Sequence, residues 1–97
     1  MPKKIGENEY KDIVRDLESL GLKAKEALVY ISLLELGEVG SSHIAKKTGL
    51  HTQFIYMALD ALEKHGLTQH VIRRGRKKFS AKHPQALVRL VEQQKRT

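Results

Sequence analysis

Arg73, Arg74, Arg76, Lys77 and Lys78 fall within six residues, interrupted only by Gly75. So dense a set of cations makes a local field that attracts polyanions and raises encounter rates. The remaining charge sharpens this reading. Residues 1–66 hold nine Lys/Arg against ten Asp/Glu, whereas residues 67–97 hold nine Lys/Arg against the single acid Glu92. The net charge of +7 therefore sits in the last third of the chain. Charge that served solubility alone would spread both signs along the sequence.

Other reactive side chains form no comparable set. The five histidines are His43, His51, His65, His70 and His83. None share a three- or four-residue spacing on one helix, and no nearby carboxylate completes a ligand set, so no metal site is expected. Ser41 and Ser42 adjoin His43, but neighbouring helical residues do not face each other. A capping role suits them better than a nucleophile–base pair. Glu7, Glu9, Asp12, Asp16 and Glu18 read as a solvated helix face. No catalytic constellation emerges; the expectation is a protein that is not an enzyme, with no cofactor and no evident small-molecule ligand. With no cysteine, disulfides and thiolate metal sites are ruled out. No apolar run approaches the roughly 20 residues of a membrane span, and Met1 to Gly6 lead into a charged segment rather than a signal peptide. A cytoplasmic, nucleoid-associated protein with no membrane partner is expected.

The cations need elements to hold them. Leu67–Arg74 and Arg76–Lys82 flank Gly75 and carry Val71, Ile72 and Phe79, which predicts a two-stranded hairpin with Arg74-Gly75 at its tip. Four helices are predicted before it. The first runs 7–20 with Tyr10, Ile13, Val14 and Leu17 on one stripe, and Gly21 ends it. The second runs 24–36 with Ala27, Tyr30, Ile31 and Leu34 on its stripe, closed by Gly37. A short third, 41–48, begins where Ser41 or Ser42 can accept a hydrogen bond from a first-turn amide, and turns its Ile44 and Ala45 inward. After a tight turn at Gly49 the fourth covers 52–65, with Ile55, Ala58, Leu59 and Leu62 on one face and Gly66 as its stop. His83-Pro84 opens a last helix to about residue 94, whose stripe is Ala86, Leu87, Leu90 and Val91.

That order predicts a mainly α fold with a small β-hairpin: a winged helix-turn-helix with additional N- and C-terminal helices. The 97 residues, 40% of them hydrophobic, fit one domain with a modest core that would gain from a partner chain. We divide it into an N-terminal helix (1–22), a winged-helix core (23–82) and a C-terminal helix (83–97).

In such a fold the fourth helix enters the major groove of double-stranded DNA by its N-terminal end. Thr52, Gln53 and Tyr56 are then candidates for base edges or phosphates, and Gln can pair with adenine. Gln53, Met57, Asp60 and Lys64 point away from the apolar face. Asp60 and Glu63 would repel phosphate, but lie where the helix can leave the groove. The preceding helix, with Ser41 and Ser42 at its start, offers free amides to a phosphate. Lys46 and Lys47 at its end either contact phosphate or complement the helix dipole. Arg73, Arg74, Arg76, Lys77 and Lys78 would lie against neighbouring phosphates or in the minor groove and make binding salt-dependent.

An ordered series of fragments carries a resemblance. Leu20-Gly21-Leu22-x-x-x-Glu26-Ala27 is followed by Tyr30-Ile31-x-Leu33-Leu34-x-Leu36-Gly37, Ile44-Ala45-x-x-Thr48-Gly49-Leu50, Ile55-Tyr56-x-Ala58-Leu59 and Leu62-Glu63-Lys64-x-Gly66-Leu67. A tail of Arg76, Phe79, Ala81, Pro84, Ala86 and Leu87 matches with one residue of altered spacing. Over residues 17–91 the chain resembles archaeal and bacterial TrmB-like transcriptional regulators, with MarR- and ArsR-like families as near relatives. The resemblance implies a dimeric regulator on operator DNA, with contacts at Ser41, Thr52, Gln53, Tyr56 and the wing. Three departures accompany it. Many members carry a sugar-sensing domain, and the chain ends before one would fit. Lys23 replaces a frequent capping Thr. Residues 51–57 contain no Lys or Arg, and Phe54 and Met57 stand where polar or basic residues are common.

The leading expectation is a homodimer through helices 7–20 and 84–94, presenting two recognition helices about 34 Å apart. A low-specificity chromatin or architectural protein is the second. A protein-interaction module using Phe54, Tyr56 and Met57 is the third.

Overall fold

Leu17, Tyr30, Ile44, Leu59 and Leu87 come from five different helices, and all five are buried in one core. The structure is a computed structural model and describes residues 5–95. Its elements are α1 (Glu7–Ser19), α2 (Ala24–Leu36), α3 (Ser41–Thr48), α4 (Thr52–Lys64), β1 (Thr68–Arg73), β2 (Arg76–Ala81) and α5 (Pro84–Lys95). This is the mainly α fold with a β-hairpin that the sequence predicts, and element ends move by only one residue or so.

α2 is the hub. Its apolar positions suggest a single stripe, but Ala27, Val29, Tyr30, Ile31, Ser32 and Leu33 are all buried. The reason is that α1, α3, α4 and β2 all pack on it, so nearly every face meets protein. The Tyr30 hydroxyl donates to the Lys82 carbonyl at 2.9 Å, tying the hub to the end of the hairpin. Burial pushes this phenol well above its ordinary pKa.

The start of α2 is half capped. The Glu26 carboxylate accepts the Lys23 backbone N–H at 2.8 Å, but the Lys23 ammonium has no lone pair to accept an amide of the first turn in return. Lys23→Thr should complete the exchange. We expect about 1 kcal/mol of added stability, which in a domain of this size raises the melting temperature by roughly 4–8 °C. Calorimetry of the two proteins checks this, and an unchanged or lower melting temperature would refute it.

α3 departs from the expected capping. Its N-cap is the extended Gly40, with no side-chain cap bond. Ser41 is already helical, so its hydroxyl turns elsewhere: it donates to the Tyr56 hydroxyl at 3.1 Å.

The hairpin pairs Thr68 with Ala81 through Arg73 with Arg76 in antiparallel register. Arg74 and Gly75 both have positive φ, 52° and 75°. Two such residues give the primed turn whose twist matches its strands, which places Arg74-Gly75 at the tip. A one-residue strand, absent from the sequence prediction, joins the other edge of β2. Val39 N–H donates to the Phe79 carbonyl at 3.0 Å, and Phe79 N–H to the Val39 carbonyl at 2.7 Å.

The terminal helices spend part of their stripes inside the chain. Ile13 and Leu17 of α1 and Leu87 and Val91 of α5 join the core. Tyr10 and Val88 stay outside at 39% and 37% exposure. No helix of the described residues is long and apolar enough to cross a membrane.

Candidate nucleic-acid interface

α3 and α4 meet across a turn in which Gly49 is left-handed at φ 75°. A side chain there would be strained, so glycine permits the tight angle between the helices. α4 buries Ile55, Ala58, Leu59 and Leu62 against the core. Its opposite side leaves Thr52, Gln53, Tyr56 and Met57 exposed, as the sequence places them.

The structure brings six of the candidates together. Ser41, Ser42, Tyr56, Arg76, Lys77 and Lys78, with Gly40, line a recess of about 330 Å³ between α3, α4 and the wing. The Lys78 Nζ lies 3.8 Å from where a Cβ on Gly40 would stand, so an ammonium hangs over the start of α3. Free amides and an ammonium at one place suit an anionic oxygen.

A chain of ring contacts fixes the wing to α4. Tyr56 meets Phe79 edge-on with centroids 6.2 Å apart, and Phe79 in turn meets His70 at 6.1 Å. His70 Nδ1 lies 3.0 Å from a Glu63 carboxylate oxygen. Phe79 is thus the anchor: buried, bonded to Val39, and touching the one aromatic that faces the recess.

Other candidates stand apart. Arg74 projects at the tip and Lys46 is exposed at the end of α3. Lys47 turns toward α2, with its Nζ 3.3 Å from Glu35. Arg73 is engaged by Glu38: its Nε donates to Oε2 and its Nη2 to Oε1 at 3.2 Å. This bond, with the field of Arg73 and Lys78, holds the Glu38 carboxyl below its ordinary pKa. Sequence reasoning missed Glu38 and Val39. The usable signal was a lone apolar residue between Gly37 and Gly40, too short for any strand pattern. Among the described residues no three His, Asp or Glu side chains are placed to hold a metal ion.

Comparison with known proteins fits this geometry. The model of the family described as sugar-specific transcriptional regulator TrmB matches residues 17–85. The chain belongs to the TrmB family. No curated protein sequence matches it. Among solved structures, TrmBL2, an archaeal chromatin protein with a novel mode of DNA binding, superposes on this TrmB-family chain with a TM-score of 0.73 at 22% identity. The match covers 90% of this chain and 33% of TrmBL2, so the chain spans one third of that protein's length. A possible transcriptional regulator from Methanosarcina mazei Go1 gives a TM-score of 0.71 at 12% identity, covering 88% of this chain and 75% of the other. A MarR-family regulator from Rhodococcus sp. RHA1 gives 0.63 at 23% identity, covering 87% and 62%. At these identities the structures establish a shared winged-helix fold. The TrmB family and its MarR-type neighbours are transcriptional regulators, not enzymes.

Proposed function

We propose that this TrmB-family chain binds double-stranded DNA as a transcriptional regulator, acting in the cytoplasm as a homodimer. The observation that carries the reading is the recess shared by the start of α3, Tyr56 and the wing cations. It gathers on one side the groups a phosphate backbone requires. Within residues 23–82, α4 enters the major groove with Thr52, Gln53 and Tyr56 leading. Ser41, Ser42, Lys46, Arg76, Lys77 and Lys78 meet the flanking backbone, and Arg74 follows the next groove. Lys47 and Arg73 are held by acids and contribute less. Tyr10 and Val88, left exposed on α1 and α5, belong to the dimer contact.

A second reading, a low-specificity chromatin protein, is favoured by one observation. The exposed N-terminal face of α4 carries no Lys or Arg, and Met57 is 65% exposed on it. A single titration separates the readings. Genomic fragments selected by the protein are measured with and without excess random competitor. A regulator should keep its operator by a factor of about 10³ or more over random DNA, and a chromatin protein should not. No binding to either would overturn both. Light scattering at high micromolar concentration should give twice the chain mass, and a monomer there would remove the dimer.

A further inference from the structure

Glu38 lies against the wing cations Arg73 and Lys78. Glu38 is exposed, yet it takes two hydrogen bonds from Arg73 and lies in the field of Lys78. Lys78 lines the recess at the start of α3. The carboxylate therefore stands at the edge of the surface assigned above to phosphate.

We propose that Glu38 is an affinity-setting residue of the DNA interface, a built-in anion that occupies Arg73 and holds the wing below the affinity its cations could reach. The inference rests on the DNA-binding reading. Its physical basis is the strand register. Arg73 pairs directly with Arg76, which puts two guanidiniums on one face of the hairpin. Like charges opposite each other repel. Glu38 relieves that repulsion in the free protein, where no phosphate is present to do so. A bidentate arginine–carboxylate pair has the geometry of an arginine–phosphate pair. Glu38 thus fills the place a DNA phosphate would take, and its own charge repels an approaching phosphate. Both effects lower affinity. Glu38 is not needed to hold the wing, because the two backbone bonds between Val39 and Phe79 anchor β2 independently.

The test is a cycle of Glu38→Gln and Arg73→Gln on the full chain, with Arg76→Gln as reference. Binding to one duplex is measured from about 0.05 to 0.3 M salt. Freeing Arg73 to meet a phosphate should steepen the log–log salt slope by about 0.9, which corresponds to up to about 8-fold tighter binding near 0.1 M. Arg76→Gln should weaken binding in either background, whereas Arg73→Gln in the Glu38→Gln background should remove most of the gain. Circular dichroism checks the fold of each variant, and Glu38→Ala provides a second removal of the charge. Equal or weaker binding by both Glu38 variants, or a Glu38→Gln gain that survives the added Arg73→Gln, would overturn the proposal. Wild-type protein that fails to bind the duplex would overturn the DNA reading and this one with it, whereas normal wild-type binding with unaltered Glu38 variants overturns this one alone.

Discussion

Replacing Arg74, Arg76, Lys77 and Lys78 with Gln should remove most of the DNA affinity while leaving the fold intact. None of the four is buried, so no core contact is lost. Each phosphate contact contributes about 0.9 to the salt slope, so four losses flatten it by up to about 3.6. Electrostatic attraction fades toward 1 M salt, so the same slope corresponds to a loss on the order of 10³-fold near 0.1 M. Fluorescence anisotropy over a salt series measures both quantities. Unchanged affinity and slope would move the wing out of the interface and favour a protein-interaction role for Phe54, Tyr56 and Met57. Arg73 is left out of the set because Glu38 already neutralises it.

Phe79→Ala should cause a large loss of stability. Phe79 is 4% exposed and joins β2 to Val39, Tyr56 and His70 at once. Truncating a buried Phe to Ala costs about 3–5 kcal/mol, a large share of the total stability of a domain this size. Denaturant unfolding should show that loss, and Phe79→Leu should recover more than half of it. DNA affinity should fall as well, because the Tyr56 ring loses the surface it packs on. A Phe79→Ala protein with wild-type midpoint would show that the wing is anchored elsewhere.

Much of this architecture was readable from the sequence because its signals are local. The helical stripes, the glycine stops and the cationic tip each depend on residues a few positions apart, and they return as α1 to α5 and a turn at Arg74-Gly75. What escaped depends on partners far apart in the chain. Arg73 and Lys47 look as free as Arg76 in the sequence, but acids at positions 38 and 35 reach them only in three dimensions. Val39 has no strand pattern of its own, and becomes a strand because Phe79 presents both backbone groups to it. Ser41 reads as a cap by type, yet Gly40 takes that place and frees the hydroxyl for Tyr56. α2 reads as one stripe in the sequence, and only the packing of α1, α3, α4 and β2 around it buries its other sides.

The Val39 bridge has a further consequence for solubility. With Val39 on one side and β1 on the other, β2 is closed at its base, and β1 becomes the border of the sheet. Among the described residues no other strand lies along that border. It carries Ile72, 60% exposed, in a short run of β-formers that could template pairing with another molecule. Arg74, Lys77 and Lys78 flank this run, and like charges placed there oppose edge-to-edge pairing of two wings. The cations assigned above to DNA would then also disfavour strand addition at this edge when no polyanion is bound.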